Sequence, residues 1–177
     1  MDLDGTLVRL RAYRGEDVDA LADIFRDVEV VRWAGPAFLD PLGPSEIRRW
    51  SERGGWERVH WTVEDRHDGA VMGDVSLFRI DHVQRHCWFG ITLGPATRLG
   101  RGRGTEATTL ATRFAFHWLN LEKVYLGVFE GNDRAVATYR RAGYQVEARL
   151  RRHAFIDGAL RDELWMAAYR DHPLYAV

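Results

Sequence analysis

Three glycines alternate with arginines in the segment Arg98-Leu99-Gly100-Arg101-Gly102-Arg103-Gly104-Thr105. Glycine lets the backbone turn sharply, and without a β-carbon it leaves room for a ligand to approach the N–H groups. A helical pattern follows at once, and the first turn of a helix presents unpaired N–H groups at the positive end of its dipole. Such a turn is suited to binding phosphate. The three arginines would add positive charge, although not all of them can point inward.

Neither of the two common phosphate-binding motifs fits this segment. A P-loop needs Gly-Lys-Ser/Thr, whereas Gly104-Thr105 has no lysine between its residues. The dinucleotide fingerprint needs G-x-G-x-x-G, whereas the glycines here are spaced G-x-G-x-G. A tight solvated turn with incidental arginines is the alternative interpretation, so the ligand class must come from other residues.

A second segment, Glu130 to Tyr144, has the marks of a capped helix after a strand. Asn132 stands where an N-cap residue is expected, and Gly143 stands where a helix ends in a left-handed glycine. Ala135, Tyr139 and Ala142 lie between them at helical spacing and share one face.

Each segment follows a predicted strand, and a predicted helix also follows the first segment. Residues 87–93 and 123–129 have strand patterns, and Ala107, Leu110, Ala111, Phe114 and Trp118 recur at helical intervals. Strands are also predicted at 7–13, 59–64, 70–79, 144–156 and 160–169, with hairpin turns at 68–69 and 157–158. One helix is predicted from residue 16 or 17 through 25, and another over 44–52 that ends at Gly54-Gly55. Residues 30–43 are predicted to be a loop, and a β-bulge is predicted at Gly73.

Together the two segments resemble the GNAT superfamily of N-acetyltransferases. The family's motif Gln/Arg-x-x-Gly-x-Gly/Ala is matched by Gly102 and Gly104, while Leu99 stands at the Gln/Arg position and Arg98 precedes it. The family's second motif is matched by Asn132, Ala135, Tyr139 and Gly143-Tyr144. Three features look like the ribosomal-protein (RimJ/RimL-type) branch: Leu7-Val8-Arg9-Leu10-Arg11, Gly104-Thr105-Glu106-Ala107 and the final hairpin.

The resemblance implies one N-acetyltransferase domain over residues 1–177. Its fold would be α+β, with a mixed, mostly antiparallel central sheet that splays at two parallel strands and carries helices on both faces. Acetyl-CoA would be the cosubstrate, with its pantetheine along one splayed strand. The residues expected to bind it are Ile91, Thr92, Leu93, Arg98, Leu99, Gly100, Arg101, Gly102, Arg103, Gly104, Thr105, Asn132, Ala135 and Tyr139.

Tyr139 would lie near the thioester sulfur, as a general acid or as a hydrogen-bond donor that stabilises the thiolate. A phenol near pKa ~10 is a weak acid towards a thiolate whose conjugate acid is near ~8.5, which favours stabilisation over early proton transfer. The base that deprotonates the amine is open between Glu64, Asp74, Glu130 and a water relay.

The acceptor is predicted to be a primary amine, most readily a protein N-terminal α-amine. An α-amine titrates at ~7.7–8 whereas a lysine amine titrates at ~10.4, so the absence of an evident base favours the former. A small amine such as an aminoglycoside or a polyamine is the alternative, and a CoA-binding regulatory module without turnover is an alternative of another class. One or two of Trp33, Trp50, Trp56 and Trp61 are expected to line the acceptor site.

Composition narrows the remaining choices. The chain has 177 residues, a formal net charge of −1 and one cysteine, Cys87. Near-neutral charge argues against a nucleic-acid partner, and no apolar run or signal-like start suggests a membrane, so a cytoplasmic monomer or homodimer is expected. Cys87 is expected to be a buried thiol, not an acyl carrier, and His82 and His86 to be surface or packing residues, so no metal is predicted.

Overall fold

Eight strands form one mixed sheet in the computed structural model, which describes residues 1–34, 43–52 and 55–175. The strands are β1 (Leu3–Asp4), β2 (Val8–Arg11), β3 (Arg58–Asp65), β4 (Val71–Asp81), β5 (His86–Leu93), β6 (Lys123–Phe129), β7 (Gln145–Ile156) and β8 (Ala159–Tyr169). Their order in the sheet is β1-β2-β3-β4-β5-β6-β8-β7. Every neighbouring pair is antiparallel except β5 and β6, which are parallel.

Helices cover both faces of the sheet, as the sequence predicts. The helices are α1 (Val18–Arg26), α2 (Val28–Val31), α3 (Pro44–Ser51), α4 (Arg103–His117) and α5 (Asp133–Arg141). Helices α4 and α5 bury their apolar stripes in the larger core cluster, against alternate residues of β2 to β6 and β8. Helices α1 and α3 form a smaller cluster on the other face, where the ring of Trp50 packs edge-on against His60 of β3 at 4.6 Å.

The sheet forks between β5 and β6. These strands pair over only three positions, from His86↔Lys123 to Trp88↔Tyr125. Beyond that point β5 stays paired with β4 as far as Leu93, and β6 stays paired with β8 as far as Phe129. Each diverging strand is therefore held on its outer side only, and the two inner edges leave a wedge-shaped opening.

Gly73 allows β4 to follow β5 to the end of the fork. The predicted bulge is confirmed, because the β3–β4 register changes from Val63↔Gly73 to Glu64↔Val71. Gly73 has φ +132°, and a β-carbon there would collide with the carbonyl of Thr92. Only glycine permits this combination of backbone angle and close approach.

The structure corrects several predicted element bounds. The N-terminal strand is shorter than 7–13 and is preceded by β1, which is too short to produce a period in the sequence. Residues 28–31, partly within the predicted loop, form α2, where the side chain of Asp27 accepts a hydrogen bond from the N–H of Glu29. Residues 35–42 of that loop and Gly54 lie outside the described residues. Helix α4 begins at Arg103, so Gly104 and Thr105 belong to the helix and not to the turn.

A buried ion pair fixes β2 to the start of α1. The Arg11 guanidinium donates two hydrogen bonds of 2.8 Å to the two carboxylate oxygens of Asp17, and both side chains are almost fully buried. Asp17 also accepts from the Arg14 N–H at 2.8 Å and from the Thr62 hydroxyl at 3.3 Å. Burial alone would raise the pKa of Asp17, but these hydrogen bonds outweigh it and lower the pKa below its ordinary value of 3.8.

We expect Asp17→Asn to lower the free energy of unfolding at pH 7 by about 3 kcal/mol, because it leaves a buried guanidinium with incomplete compensation. A folded-state pKa below the unfolded one gives stability that is complete above pH 3.8 and is lost as pH falls through the folded value. Urea unfolding at several pH values should therefore show the two proteins converging in acid. The exposed Asp19→Asn is the matched control, and a deficit that does not narrow as the pH falls below 3.8 would contradict the ion-pair account.

Candidate active site

The inner edge of β5 offers unpaired backbone groups along one side of a cleft of about 220 Å³. Ile91, Thr92 and Leu93, which the sequence analysis expects to bind the cosubstrate, line this cleft, and none of them pairs with β6. A strand edge with free N–H and C=O groups can pair with an extended ligand that carries amides. The pantetheine arm of acetyl-CoA is such a ligand, so this edge fits the predicted cosubstrate.

The turn before α4 aims backbone N–H groups into the same cleft. Gly100, Arg101 and Gly102 have φ values of +92°, +55° and +85°, so three consecutive residues are left-handed. Within the described chain, no N–H group from residue 100 to residue 105 donates a hydrogen bond to another backbone or side-chain atom. These six donors lie at the N-terminus of α4, where the helix dipole is positive. The arrangement fits a pyrophosphate.

The three arginines of the turn differ in their partners. Arg98 pairs with Asp68, and Arg103 pairs with Asp65 at 2.7 Å. Among the described residues, Arg101 makes no ion pair, and the same holds for Arg134 and Arg141 of α5, which also line the cleft. The positive charge available to a ligand phosphate therefore comes from Arg101 and from the arginines of α5. Arg98 pairs with Asp68, so it does not take over the role of the family's Gln/Arg position, where Leu99 stands.

Asn132 caps α5 as predicted. Its side-chain oxygen accepts a hydrogen bond from the N–H of Ala135 at 3.2 Å, and both residues line the cleft. This bond uses the oxygen of the amide and leaves its NH₂ group for another acceptor. A cap of this type stabilises the helix by about 1 kcal/mol.

Tyr139 lies at the base of the fork, on the face covered by α4 and α5. Its ring centroid lies 6.3 Å from that of Phe89, one residue beyond the last β5–β6 pair, and 6.1 Å from that of Tyr144. Only 8% of the residue is exposed, and burial raises the pKa of its hydroxyl to about 12. Tyr139 is among the residues that line the cleft, and its hydroxyl makes no hydrogen bond inside the part of the chain that the structure describes. The hydroxyl is therefore a neutral donor without a protein partner among the described residues.

None of the three candidate bases is among the residues that line the cleft. Glu64 bonds to Arg11, and Glu130, on the surface, bonds to Arg149 at 2.6 Å. Asp74 is different, because it is the β4 partner of Thr92, which lines the cleft. Its oxygen Oδ1 is buried without a partner.

The side chains of Asp74 and His60 contact each other in the interior of the protein. His60 Nδ1 lies 3.2 Å from the carbonyl oxygen of Ser51, which can only accept, so Nδ1 carries a hydrogen. In a neutral imidazole Nε2 then has none, and its contact of 3.3 Å with Asp74 Oδ2 needs a proton on one of the two atoms. Burial raises the pKa of Asp74 above 3.8, although the hydrogen bond and charge of His60 oppose this shift. Asp74 is therefore a buried carboxyl that holds its proton more strongly than an exposed one does.

Helix α2 crosses the open end of the fork, which sequence reasoning did not foresee. A β-carbon on Gly94, after β5, would lie 3.2 Å from a methyl of Val30, and one on Gly131, after β6, would lie 3.4 Å from the ring of Trp33. Arg32 between them pairs with Asp157 of the β7–β8 turn. Trp33 is thus the one of the four proposed tryptophans that lines the cleft.

The cleft residues that the sequence analysis missed are Val30, Ala34, Met72, Arg134, Thr138 and Arg141. A signal existed for part of this set, because residues 134, 138 and 141 form an i, i+4, i+7 stripe on α5. No such signal existed for Met72 or for α2, since their approach depends on how distant segments pack.

Cys87, His82 and His86 are not among the described residues that line the cleft. Cys87 is buried, and burial raises the pKa of its thiol to about 12, so it is not a thiolate nucleophile. His82 contacts the carbonyl of Trp56 at 3.1 Å, whereas the ring of His86 packs edge-on against Tyr125. No group of three potential metal ligands occurs within residues 1–34, 43–52 and 55–175.

Comparison with known proteins identifies the family. Residues 8–145 match the family model described as acetyltransferase (GNAT) domain. The chain is 32% identical over 169 residues to spermidine N(1)-acetyltransferase of Escherichia coli K12, covering 92% of this chain and 86% of that protein. It superposes on Vibrio cholerae spermidine N-acetyltransferase in complex with CoA and spermine with a TM-score of 0.82 at 24% identity, over 95% and 98% of the two chains. Mycobacterium smegmatis RimJ in complex with CoA-disulfide also has a TM-score of 0.82, at 22% identity over 94% and 83% of the chains.

The chain therefore belongs to the GNAT acetyltransferase family, and its forked sheet is the GNAT fold. It is an acetyl-CoA-dependent N-acetyltransferase. These matches do not establish the RimJ/RimL branch expected from sequence, because the 32% identical relative is named a spermidine acetyltransferase and RimJ, at 22% identity, shares the fold. No helix among the described residues is long and apolar enough to cross a membrane.

Gly104→Val should weaken CoA binding about tenfold or more, because the new side chain would grow into the cleft beside the free N–H groups. The helix should tolerate it, since a β-carbon at Gly104 meets only Leu93 and Thr138 at 3.5 Å. Isothermal titration with CoA measures the effect. Gly15→Ala is the control, because nothing lies within 4 Å of a β-carbon there, and an unchanged dissociation constant in a folded Gly104→Val variant would contradict the site.

Proposed function

We propose that this enzyme transfers the acetyl group of acetyl-CoA to a primary amine of a small polyamine. The single observation that carries the acceptor class is the 32% identity with spermidine N(1)-acetyltransferase over 92% of the chain. We also propose that residues 1–177 act as one domain, since β1 to β8 belong to one sheet and the larger core cluster contains residues from β2 to Tyr175.

Cofactor binding rests on backbone groups in this proposal. The N–H groups of residues 100–105 hold the pyrophosphate, the edge of β5 pairs with the pantetheine amides, and Arg101, Arg134 and Arg141 offset phosphate charge. The acetyl thioester supplies the activated carbonyl. The amide NH₂ of Asn132 is placed to donate to the arm beside it.

Tyr139 stabilises the leaving sulfur. Transfer forms a C–N bond and breaks the C–S bond, so negative charge develops on sulfur at the base of the fork. A buried hydroxyl with a pKa of about 12 is too weak an acid to protonate fully a thiolate whose conjugate acid has a pKa of ~8.5, and it therefore acts by a hydrogen bond.

The amine must lose a proton to react. A polyamine primary amine resembles a lysine with a pKa near ~10.4, so less than roughly one part in a thousand is neutral at pH 7. We assign the accepting role to Asp74, acting with His60, because Glu64 and Glu130 are already bonded to arginines. The raised pKa of Asp74 makes its carboxylate a better base than an exposed one.

A protein N-terminus is the weaker acceptor candidate. The absence of an evident base in the sequence favours an α-amine, but this argument loses its force if Asp74, in contact with His60, acts as the base. The RimJ similarity is at 22% identity and concerns the fold alone.

We expect Tyr139→Phe to lower kcat about tenfold to a thousandfold, equivalent to roughly 1.4–4 kcal/mol, with little change in CoA affinity. The variant removes a donor that acts only as charge develops on sulfur, so binding of the ground state is spared. Steady-state kinetics under conditions where chemistry limits turnover, with CoA titration beside them, provide the measurement. Tyr144→Phe is a matched control, since that hydroxyl bonds to Thr112 in the core. Wild-type kcat in Tyr139→Phe would limit the residue to packing.

A thiol-release screen should show turnover with spermidine above that with N-terminal peptides and aminoglycosides. Mass spectrometry of the product should place one acetyl group on a primary amine. Faster turnover with a peptide α-amine would overturn the acceptor class while leaving the acetyltransferase intact. Thiol release from none of the three would favour a regulatory CoA-binding module.

A further inference from the structure

Two glycines form the floor of the fork on the sheet face opposite α4 and α5. Gly90 of β5 and Gly127 of β6 each lie two residues beyond the last β5–β6 pair, Trp88↔Tyr125. Alternation along the strands places Trp88, Gly90 and Thr92 on this face, because Phe89 and Ile91 face the larger core. Tyr139 lies beneath the opposite face, so a thioester at the fork would be accessible from the glycine side.

The Glu163 carboxylate lies directly over this floor. Glu163 is the β8 partner of Phe129, and its oxygen Oε1 occupies the place that a β-carbon on Gly127 would take. The side chain is only 15% exposed. Glycine at position 127 is thus what gives the carboxylate room to reach the fork.

Glu163 differs from its acidic neighbours in having no strong cationic partner. Asp162 and Glu130 both pair with Arg149 at 2.6 Å. Within the described chain, the partner of Glu163 is His153, whose Nε2 lies 3.6 Å away and whose side chain is 54% exposed. A half-buried carboxylate without a lysine or arginine favours a cation supplied from outside.

Aromatic side chains lie on the same sheet face next to Gly127. Trp165 is the β8 partner of Gly127, and its ring meets that of Trp88 edge-on with centroids 5.0 Å apart. The ring of Tyr125 also stacks on that of Trp88, with centroids 5.6 Å apart. Tryptophan faces attract ammonium groups, and they exclude water from a carboxylate–ammonium contact.

We propose that Glu163, with Trp88 and Trp165, binds a second ammonium group of the acceptor while its reacting amine lies over Gly90 and Thr92. The subsite rests on the proposed polyamine acetylation and names the residues that select for it. A monoamine would leave the subsite without a cation.

Glu163→Gln should raise the KM for spermidine about tenfold to a hundredfold, because it removes the negative charge that binds the second ammonium group while the side chain keeps nearly the same size and shape. The value of kcat and the KM for acetyl-CoA should change less than twofold, and kcat/KM for n-butylamine should stay at the wild-type value. Glu163→Asp should recover part of the loss. The control Glu147→Gln removes a carboxylate that pairs with Lys123 at the other end of β6.

The outcomes separate the subsite from the proposed function. Wild-type turnover of spermidine with an unchanged KM in Glu163→Gln would overturn the subsite alone. Equal losses for spermidine and n-butylamine would also overturn it, since they would indicate a structural role. Absence of spermidine acetylation by the wild-type enzyme, together with absence of spermidine binding by calorimetry in the presence of CoA, would overturn both.

Discussion

The separation of two parallel strands is the constraint on which the rest of this structure depends. β5 and β6 pair at three positions and then follow different outer neighbours, β4 and β8. Backbone groups without partners are costly when buried, so an opening of this kind is stable only if water or a ligand satisfies it. A ligand with amides and a phosphate group at one end satisfies both the strand edge and the turn that follows it.

The divergence also explains the positions of the surrounding polar groups. Because β5 is held against β4 to its end, the bulge at Gly73 is needed, and the same pairing places Asp74 beside Thr92. Because β6 is held against β8, Trp165 and Glu163 reach the fork across Gly127. Tyr139 packs on Phe89 at the point of separation, so the hydroxyl is fixed relative to both strands.

Sequence reasoning succeeded where local chemistry determines the structure. Glycine spacing before α4 and the cap at Asn132 are short-range signals, and the turn and the cap lie where those signals placed them. The chain order of strands and helices was likewise enough for the fold. Local signals could not show that Arg98 and Arg103 form ion pairs whereas Arg101, among the described residues, does not. Their partners, Asp68 and Asp65, belong to the β3–β4 hairpin, which is distant in sequence. They also missed β1 and α2, which are too short for a hydrophobic period to develop.

The two halves of the site therefore differ in how visible they are in the sequence. In our proposal the cosubstrate is contacted mainly by backbone groups, and a backbone conformation such as a left-handed turn is indicated by the glycines nearby. The proposed acceptor subsite instead consists of side chains from β5 and β8, which only the strand register brings together. A one-residue shift in that register would turn Glu163 and Trp165 to the opposite face of the sheet. Acceptor choice in this fold can thus change through substitutions on one sheet face, while the turn, the cap and the fork that hold the cosubstrate remain as they are.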